Sequence, residues 1–402
     1  GIITGAADDD PSGIATYSQA GATFGFQMLW LAVYTFPLMA VVQEMCSRIA
    51  LATGRGLAAN MRLFLPRNIL YGTALMLFVA NTFNIGADLG AMAEAMTLIF
   101  PAIPSALYLI VIAGACLCFE IFANYASFAR YLKWLTFALL AYIITGLIIK
   151  FSLSDLLKFS LIPHVSLDKD FLFMLTAVLG TTISPYLFFW QTSQEVEEEQ
   201  EKKNRKEKFE SADNLKMIKY DVWFGMFFSN LVMFFIIAVC GDTLFKAGIT
   251  SISTAGEAAE ALRPISGDLA SLIFTLGIVG TGFLAIPVLA GSSAYALSES
   301  FGWKEGLYNK FRQAKLFYLT IIASVLLGLF QNFFHIGAIK TLVYSALLNG
   351  LIAPFILVSI VILASKRAVM GQFVNSKAQS FVGILTTVIM FVVALLTVFT
   401  FF

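Results

Sequence analysis

Gly5-Ala6-Ala7-Asp8-Asp9-Asp10-Pro11-Ser12-Gly13 and, further along, Gly180-Thr181-Thr182-Ile183-Ser184-Pro185-Tyr186 each interrupt an apolar stretch with polar residues around a proline. In lipid, irregular backbone persists only where protein buries it or where it lines a cavity. Two broken helices at corresponding points of the two halves of a membrane chain are the best sequence pointer to a substrate site. The first break carries three carboxylates, so the expected substrate is a cation.

Composition makes the membrane assignment. The 402 residues are 59% hydrophobic and 13% charged, with a mean hydropathy of +0.83, and apolar runs long enough to span a bilayer recur along them. A net charge of +1 offers nothing to nucleic acid, and no nucleic-acid module is present. The four cysteines have no zinc-ligand or disulfide spacing. The first stretch is acidic, unlike a signal peptide. The chain opens only four residues before its first break, so a preceding half-helix is expected upstream. There is no HExxH, no Gly-x-Ser-x-Gly and no supported aspartate pair, so an enzyme is not expected.

Eleven spans are expected, at about 1–25, 27–50, 69–100, 104–122, 127–150, 171–193, 220–245, 267–296, 314–334, 337–365 and 380–402. Twenty of the 26 Lys and Arg residues fall in or beside the loops after even-numbered spans. That bias places those loops and the N-terminus in the cytoplasm, in a multi-pass cell-membrane protein. The charged run Glu195–Glu210 is either a regulatory or partner surface or a solvated loop. Charge runs are usually solvated, so a cytoplasmic loop over 195–216 is expected. The breaks open spans one and six. Spans 1–5 (residues 1–150) and 6–10 (151–365) are then two five-helix units, followed by a loop and span eleven (366–402). An odd number of spans per unit inverts the second against the first. The expected fold class is therefore an all-α membrane protein of LeuT type. It has two inverted five-helix repeats, broken helices one and six, and an eleventh helix.

A carboxylate at membrane depth costs at least ~2.5–3.5 kcal/mol on insertion scales, so Asp8, Asp9 and Asp10 cannot all face lipid. They either bind a cation or cap the helix that begins at Pro11, where proline suits the first turn and aspartate the N-cap. Capping by Asp10 does not exclude binding. At the second break Thr181, Thr182 and Ser184 supply hydroxyls, and Pro185 frees a carbonyl near Thr181. Alternatively those hydroxyls bond their own kinked helix. Oxygen ligands suit hard cations, and neither break contains Met, Cys or His. Asn81, Asn84 and Asp88 share one helical face, which either lines a watery path or glues helices together. Glu94 reads as a vestibule residue and Glu120 as structural. Asn349, beside Gly350 and Pro354, either completes an occluded site or packs helices. His164 and His335 fall in outside loops.

Asp10-Pro11-Ser12-Gly13 resembles the Asp-Pro-Gly-Asn motif in the first span of the Nramp divalent-metal transporters. Ser184-Pro185-Tyr186 sits where that family carries Met-Pro-His. Gln43-Glu44-Met45-Cys46-Ser47-Arg48 with Ala52–Ala58, Ala87-Asp88-Leu89 and Ala258–Pro264 are similar to further segments of the family, in order, over nearly the whole chain. The resemblance implies a metal site built from Asp10, the carbonyls near Ala7 and Thr181, and the positions of Gly13 and Ser184. Asp9, Tyr186, Asp88 and Asn349 stand next to it.

The departures carry information as well. The family's asparagine is Gly13, its metal-binding methionine Ser184, its histidine Tyr186, and the glutamate expected after Asp88 is Ala91. This combination resembles the Nramp-related magnesium transporter branch, for which a wider site without a thioether and without proton coupling is implied. The residues agree: Mg²⁺ sheds water reluctantly, and a larger oxygen-lined cavity suits a hydrated ion. The expected function is alternating-access transport of hydrated Mg²⁺ and Mn²⁺ by a monomer in the lipid bilayer, with the metal as substrate and no cofactor. The alternatives are a proton-coupled Mn²⁺/Fe²⁺ transporter and a sodium-coupled organic-solute symporter. Three aspartates at a half-helix N-terminus would repel the anion of such a solute.

Overall fold

The computed structural model describes residues 5, 8–122, 139–149, 151–204, 211–263, 267–334 and 337–401. Among them every regular element is a helix. Span one runs Pro11–Phe24 and passes through a short 3-10 segment, Gly25–Met28, into span two, Leu29–Thr53. Gly25 takes φ +58°, a left-handed conformation open to glycine, and that breaks the run. Pro11–Thr53 covers 43 residues, roughly twice the ~20 that cross a bilayer, so it holds two spans.

Span three is Arg67–Ile99 and span four Ser105–Phe122; of span five, Leu140–Ile148 is described. Span six is two helices, Lys169–Thr182 and Pro185–Asn204, separated at Ile183-Ser184. Spans seven to eleven are Ser211–Cys240, Ala270–Phe301, Lys315–Gln331, Ala338–Ser365 and Lys377–Phe401. One expectation changes. The run read as a solvated loop is helical from Glu195 to Asn204, and span seven already begins at Ser211. Glu, Gln and Lys are strong helix formers, so a charge run that leaves the membrane can simply continue its helix.

Small residues set the crossings that position the breaks. A Cβ on Gly180 would lie 2.2 Å from the Ala346 carbonyl oxygen and 2.2 Å from the Gly350 nitrogen. One on Gly350 would lie 2.3 Å from the Thr176 carbonyl oxygen. The first half of span six therefore rests backbone-to-backbone on span ten, as small residues allow in lipid. Gly86 and Gly328 do the same for spans three and nine.

Span two is clamped near its C-terminal end. Glu44 accepts from Trp223 Nε1 at 2.8 Å and from Gln379 Nε2 at 2.8 Å. Arg48 donates to the Phe373 carbonyl at 2.8 Å and to Asn375 at 2.7 Å. This conspicuous polar segment thus ties spans two, seven and eleven together. Leu75, Ile110, Phe330 and Phe399 are exposed, while Asp10, Asn84 and Asn349 are buried. That inversion is what a lipid surround demands: apolar groups outside, polar groups where other protein groups meet them.

Candidate functional site

The two breaks meet. Asp10 is the N-cap of span one, with extended backbone (φ −65°, ψ 170°) and Pro11 in the first helical turn. Its Oδ1 accepts from the Ser12 hydroxyl at 2.7 Å and the Gly13 N–H at 2.7 Å. Its Oδ2 accepts from Asn84 Nδ2 of span three at 2.8 Å. Ser345 of span ten donates to Asn84 Oδ1 at 2.6 Å, which orients the amide. Ser12 Oγ lies 3.4 Å from Thr181 Oγ1, and Tyr17 Oη lies 3.1 Å from Thr182 Oγ1. A Cβ at Gly13 would reach Thr181 Oγ1 at 3.3 Å and Asp10 Oδ1 at 3.5 Å. The hydrogen at this position therefore lets the two breaks come together without a side chain between them.

Both functions weighed for Asp10 bear on one carboxylate. It caps the helix, and it is fully buried in a setting of hydroxyl, amide and carbonyl groups. At the second break Ser184 donates to the Thr181 carbonyl at 2.5 Å, and Thr182 bonds back to the Val178 carbonyl at 2.7 Å. The carbonyl freed by Pro185 is thus held by the serine two residues past Thr182. Tyr186 is buried within electrostatic reach of Asp10, Asp8 and Asp88. Ala7 lies outside the described residues.

The shared face of span three divides. Asn84 belongs to the site, whereas Asn81 donates to the Leu289 carbonyl and to Ser292 and Ser293, which fastens span three to span eight. Asp88, one turn beyond Asn84, is fully buried and neither carboxylate oxygen has a hydrogen-bond partner. Asn349 is equally buried and its amide is likewise unpartnered. Glu94, read as a vestibule residue, accepts from the Ala255 N–H at 2.8 Å, at the first residue of a short helix, Ala255–Ala259, whose N-cap is Thr254. Glu120 is buried with both oxygens unpartnered. The His164 carbonyl accepts from Trp30 Nε1, and its ring is exposed; His335 lies outside the described residues.

Sequence reasoning did not single out Ser345 or Ser229. Ser229 of span seven donates toward Asp8 Oδ2 at 2.7 Å and lies 3.1 Å from Asp9 Oδ1. The available signal was the polar pair Ser229-Asn230 in the middle of an apolar helix, where polar residues at membrane depth tend to be functional.

Known proteins agree with this architecture. The chain is 26% identical over 414 residues to the divalent metal cation transporter MntH of Chromohalobacter salexigens, covering 98% of this chain and 88% of that protein. It is 25% identical over 393 residues to MntH of Yersinia pestis strain Pestoides F, covering 94% and 89%. A manganese transporter of Eremococcus coleocola, solved with an aromatic bis-isothiourea compound, superposes with a TM-score of 0.78 at 17% identity, over 99% of this chain and 84% of that one. Inward-facing Mhp1 gives 0.53 at 13% identity over 100% and 90%, which places the fold in the LeuT class. The model of the natural resistance-associated macrophage protein-like family matches residues 1–400, and the chain belongs to that Nramp family.

Proposed function

We propose that this protein moves hydrated divalent cations, Mg²⁺ and Mn²⁺, across the membrane by alternating access, down their electrochemical gradient and without proton coupling. The observation that carries this reading is the joining of the two breaks around the buried Asp10 carboxylate, with Gly13 and Ser184 where a larger amide and a thioether would narrow and soften the site. The two MntH relatives are divalent metal cation transporters, which supports the divalent class. The oxygen-only breaks support extension to a hard ion.

Asp10 supplies the negative charge, and its ring of donors fixes where that charge points. Hydroxyls and carbonyls of Ser12, Thr181 and Ser184 accept or donate to the water shell that the ion keeps. Asn349 and Asp88 are buried polar groups available as the site reshapes. At a membrane potential of ~100 mV, negative inside, a divalent ion gains ~4.6 kcal/mol on entry, about 2.3 per charge. That drive makes a co-transported proton unnecessary.

The test is purified protein in liposomes with a trapped Mg²⁺ dye and, in parallel, a lumenal pH dye, run on the native chain and on Asp10→Ala. Mg²⁺ entry without acidification, abolished in the variant, is expected. Mn²⁺ entry with no Mg²⁺ entry would overturn the reading of Ser184. A second reading is a proton-coupled Mn²⁺ transporter, favoured by the buried and unpartnered Asp88 carboxylate. Lumenal acidification that tracks metal entry would select it.

A further inference from the structure

Asp10 is the best-partnered of the three carboxylates: three donors occupy its two oxygens at 2.7–2.8 Å. Asp8 and Asp9 are just as buried, at 0% exposure, yet Asp8 Oδ1 and Asp9 Oδ2 have no partner. Their other oxygens both approach a single hydroxyl, Ser229 Oγ, at 2.7 Å and 3.1 Å. A serine hydroxyl has one proton to donate. It satisfies one of the two carboxylates and leaves the other facing it oxygen to oxygen.

Among the described residues no ion pair with a basic side chain compensates these two acids. Along span seven the preceding basic residue is Lys219, ten positions earlier and therefore ~15 Å away along the axis. The next is Lys246, beyond the end of the helix. The acids are nonetheless pressed onto span seven. A Cβ at Gly5 would lie 2.4 Å from the Gly225 carbonyl oxygen, one turn before Ser229, so the break approaches that helix at backbone contact. On the other side Asp8 sits beside Ser184 of the second break. The result is two buried carboxylates, two unpartnered oxygens and two serine hydroxyls converging next to the Asp10 site. An uncompensated buried charge pair of this kind is far more costly than one that holds a cation.

We propose that Asp8, Asp9 and Ser229 form a second station for the transported divalent cation, adjoining Asp10 and occupied in alternation with it. This inference rests on the divalent-cation reading above. Asp10 then holds the ion at the crossing of spans one, three and six. The Asp8–Asp9 pair receives it on the span-seven side, with Ser184 common to both positions. The two stations differ in rigidity of coordination: Asp10 is pre-oriented by three donors, while the pair is held by one shared hydroxyl.

Mn²⁺ is the probe. Affinity by titration calorimetry and uptake kinetics in liposomes are measured for the native protein, Asp8→Asn, Asp9→Asn, Ser229→Ala, Ser229→Thr and Asp10→Ala. Removal of an orienting outer partner costs a metal site about 10–100-fold in affinity or activity, and a loss in that range is expected for Ser229→Ala, with Thr restoring it. Asp8→Asn and Asp9→Asn are expected to raise KM for Mn²⁺ at least as much. Melting without metal separates structure from binding: Asp8→Asn and Asp9→Asn should melt at or above the native chain, since each removes an uncompensated buried charge, but lose the Mn²⁺-induced rise. Unchanged Mn²⁺ affinity and KM in all three positions, with Asp10→Ala still inactive, would overturn the second station and leave the transport reading standing. A native protein that neither binds nor transports Mn²⁺ or Mg²⁺ would overturn both.

Discussion

In the proposed transport reading, Ser184 is the single side chain that sets which ions the second break favours. Its hydroxyl covers the Thr181 carbonyl, so the atoms offered at this break are hard oxygens. Ser184→Met would uncover that carbonyl and place a thioether in the same space, and thioethers prefer softer, later divalent metals to Mg²⁺. The expected outcome is Mg²⁺ uptake reduced relative to Mn²⁺ by about tenfold, the equivalent of ~1.4 kcal/mol in relative transition-state stabilisation. Parallel liposome uptake of the two ions measures the ratio, and an unchanged ratio would remove Ser184 from the selectivity argument. Much at this scale was legible in the sequence. Asp followed by Pro announces an N-cap, and Asp10 is one; a proline after three hydroxyl residues announces an opened helix, and Ile183-Ser184 is one. Ser229 and Ser345 were not legible, because their roles depend on which face of spans seven and ten meets the break. A single sequence carries no record of that pairing.

At the scale of helices, glycine marks where two backbones touch. Gly180 and Gly114 make a controlled pair. A Cβ on Gly180 would strike the backbone of span ten at Ala346 and Gly350, whereas nothing lies within 4 Å of one on Gly114, which is exposed on span four. Backbone cannot rotate out of the way as a flexible side chain can. Gly180→Val should therefore separate the second break from span ten and destabilise the protein by about 1–3 kcal/mol or more. Gly114→Ala should be neutral or stabilising by up to ~1 kcal/mol, since it only improves helix propensity. Thermal melting of the detergent-solubilised variants checks both, and equal melting temperatures would refute the close crossing. The helices themselves were readable from apolar length. The helical continuation through Glu195–Asn204 was not, because charge reports exposure to water and says little about whether a solvated segment stays helical.

Over the whole molecule, segments from both halves of the chain meet around a cavity of 260 Å³, on the face that the basic-residue bias would make cytoplasmic. Its wall includes Gly56, after span two, with Glu197, Glu299 and Glu305 from the second half. Glu299 closes the junction: it accepts from the Ala59 N–H at 2.9 Å and from Ser193 at 2.8 Å, while Glu197 accepts from Tyr295 at 2.7 Å and the Leu307 N–H at 3.0 Å. Glu305, in the loop beyond span eight, has one buried oxygen without a partner. Burial first, and then the charges of Glu299 and Glu197, hold its carboxyl well above the ordinary value of 4.5. The folded chain therefore holds this proton more tightly than the unfolded chain does. Stability from that difference is fully present below the unfolded value and is lost as pH rises through the raised one. The melting temperature in detergent should fall as pH is raised from about 5 through the neutral range and above, as the linkage requires. Glu305→Gln, which keeps the shape and removes the charge, should flatten that fall and melt above the native protein on the alkaline side. Because the cavity joins the two halves, the same substitution should also slow amide exchange in residues 57–64 at alkaline pH. Parallel pH slopes for the native and Glu305→Gln proteins would show that this carboxylate does not govern the inner junction.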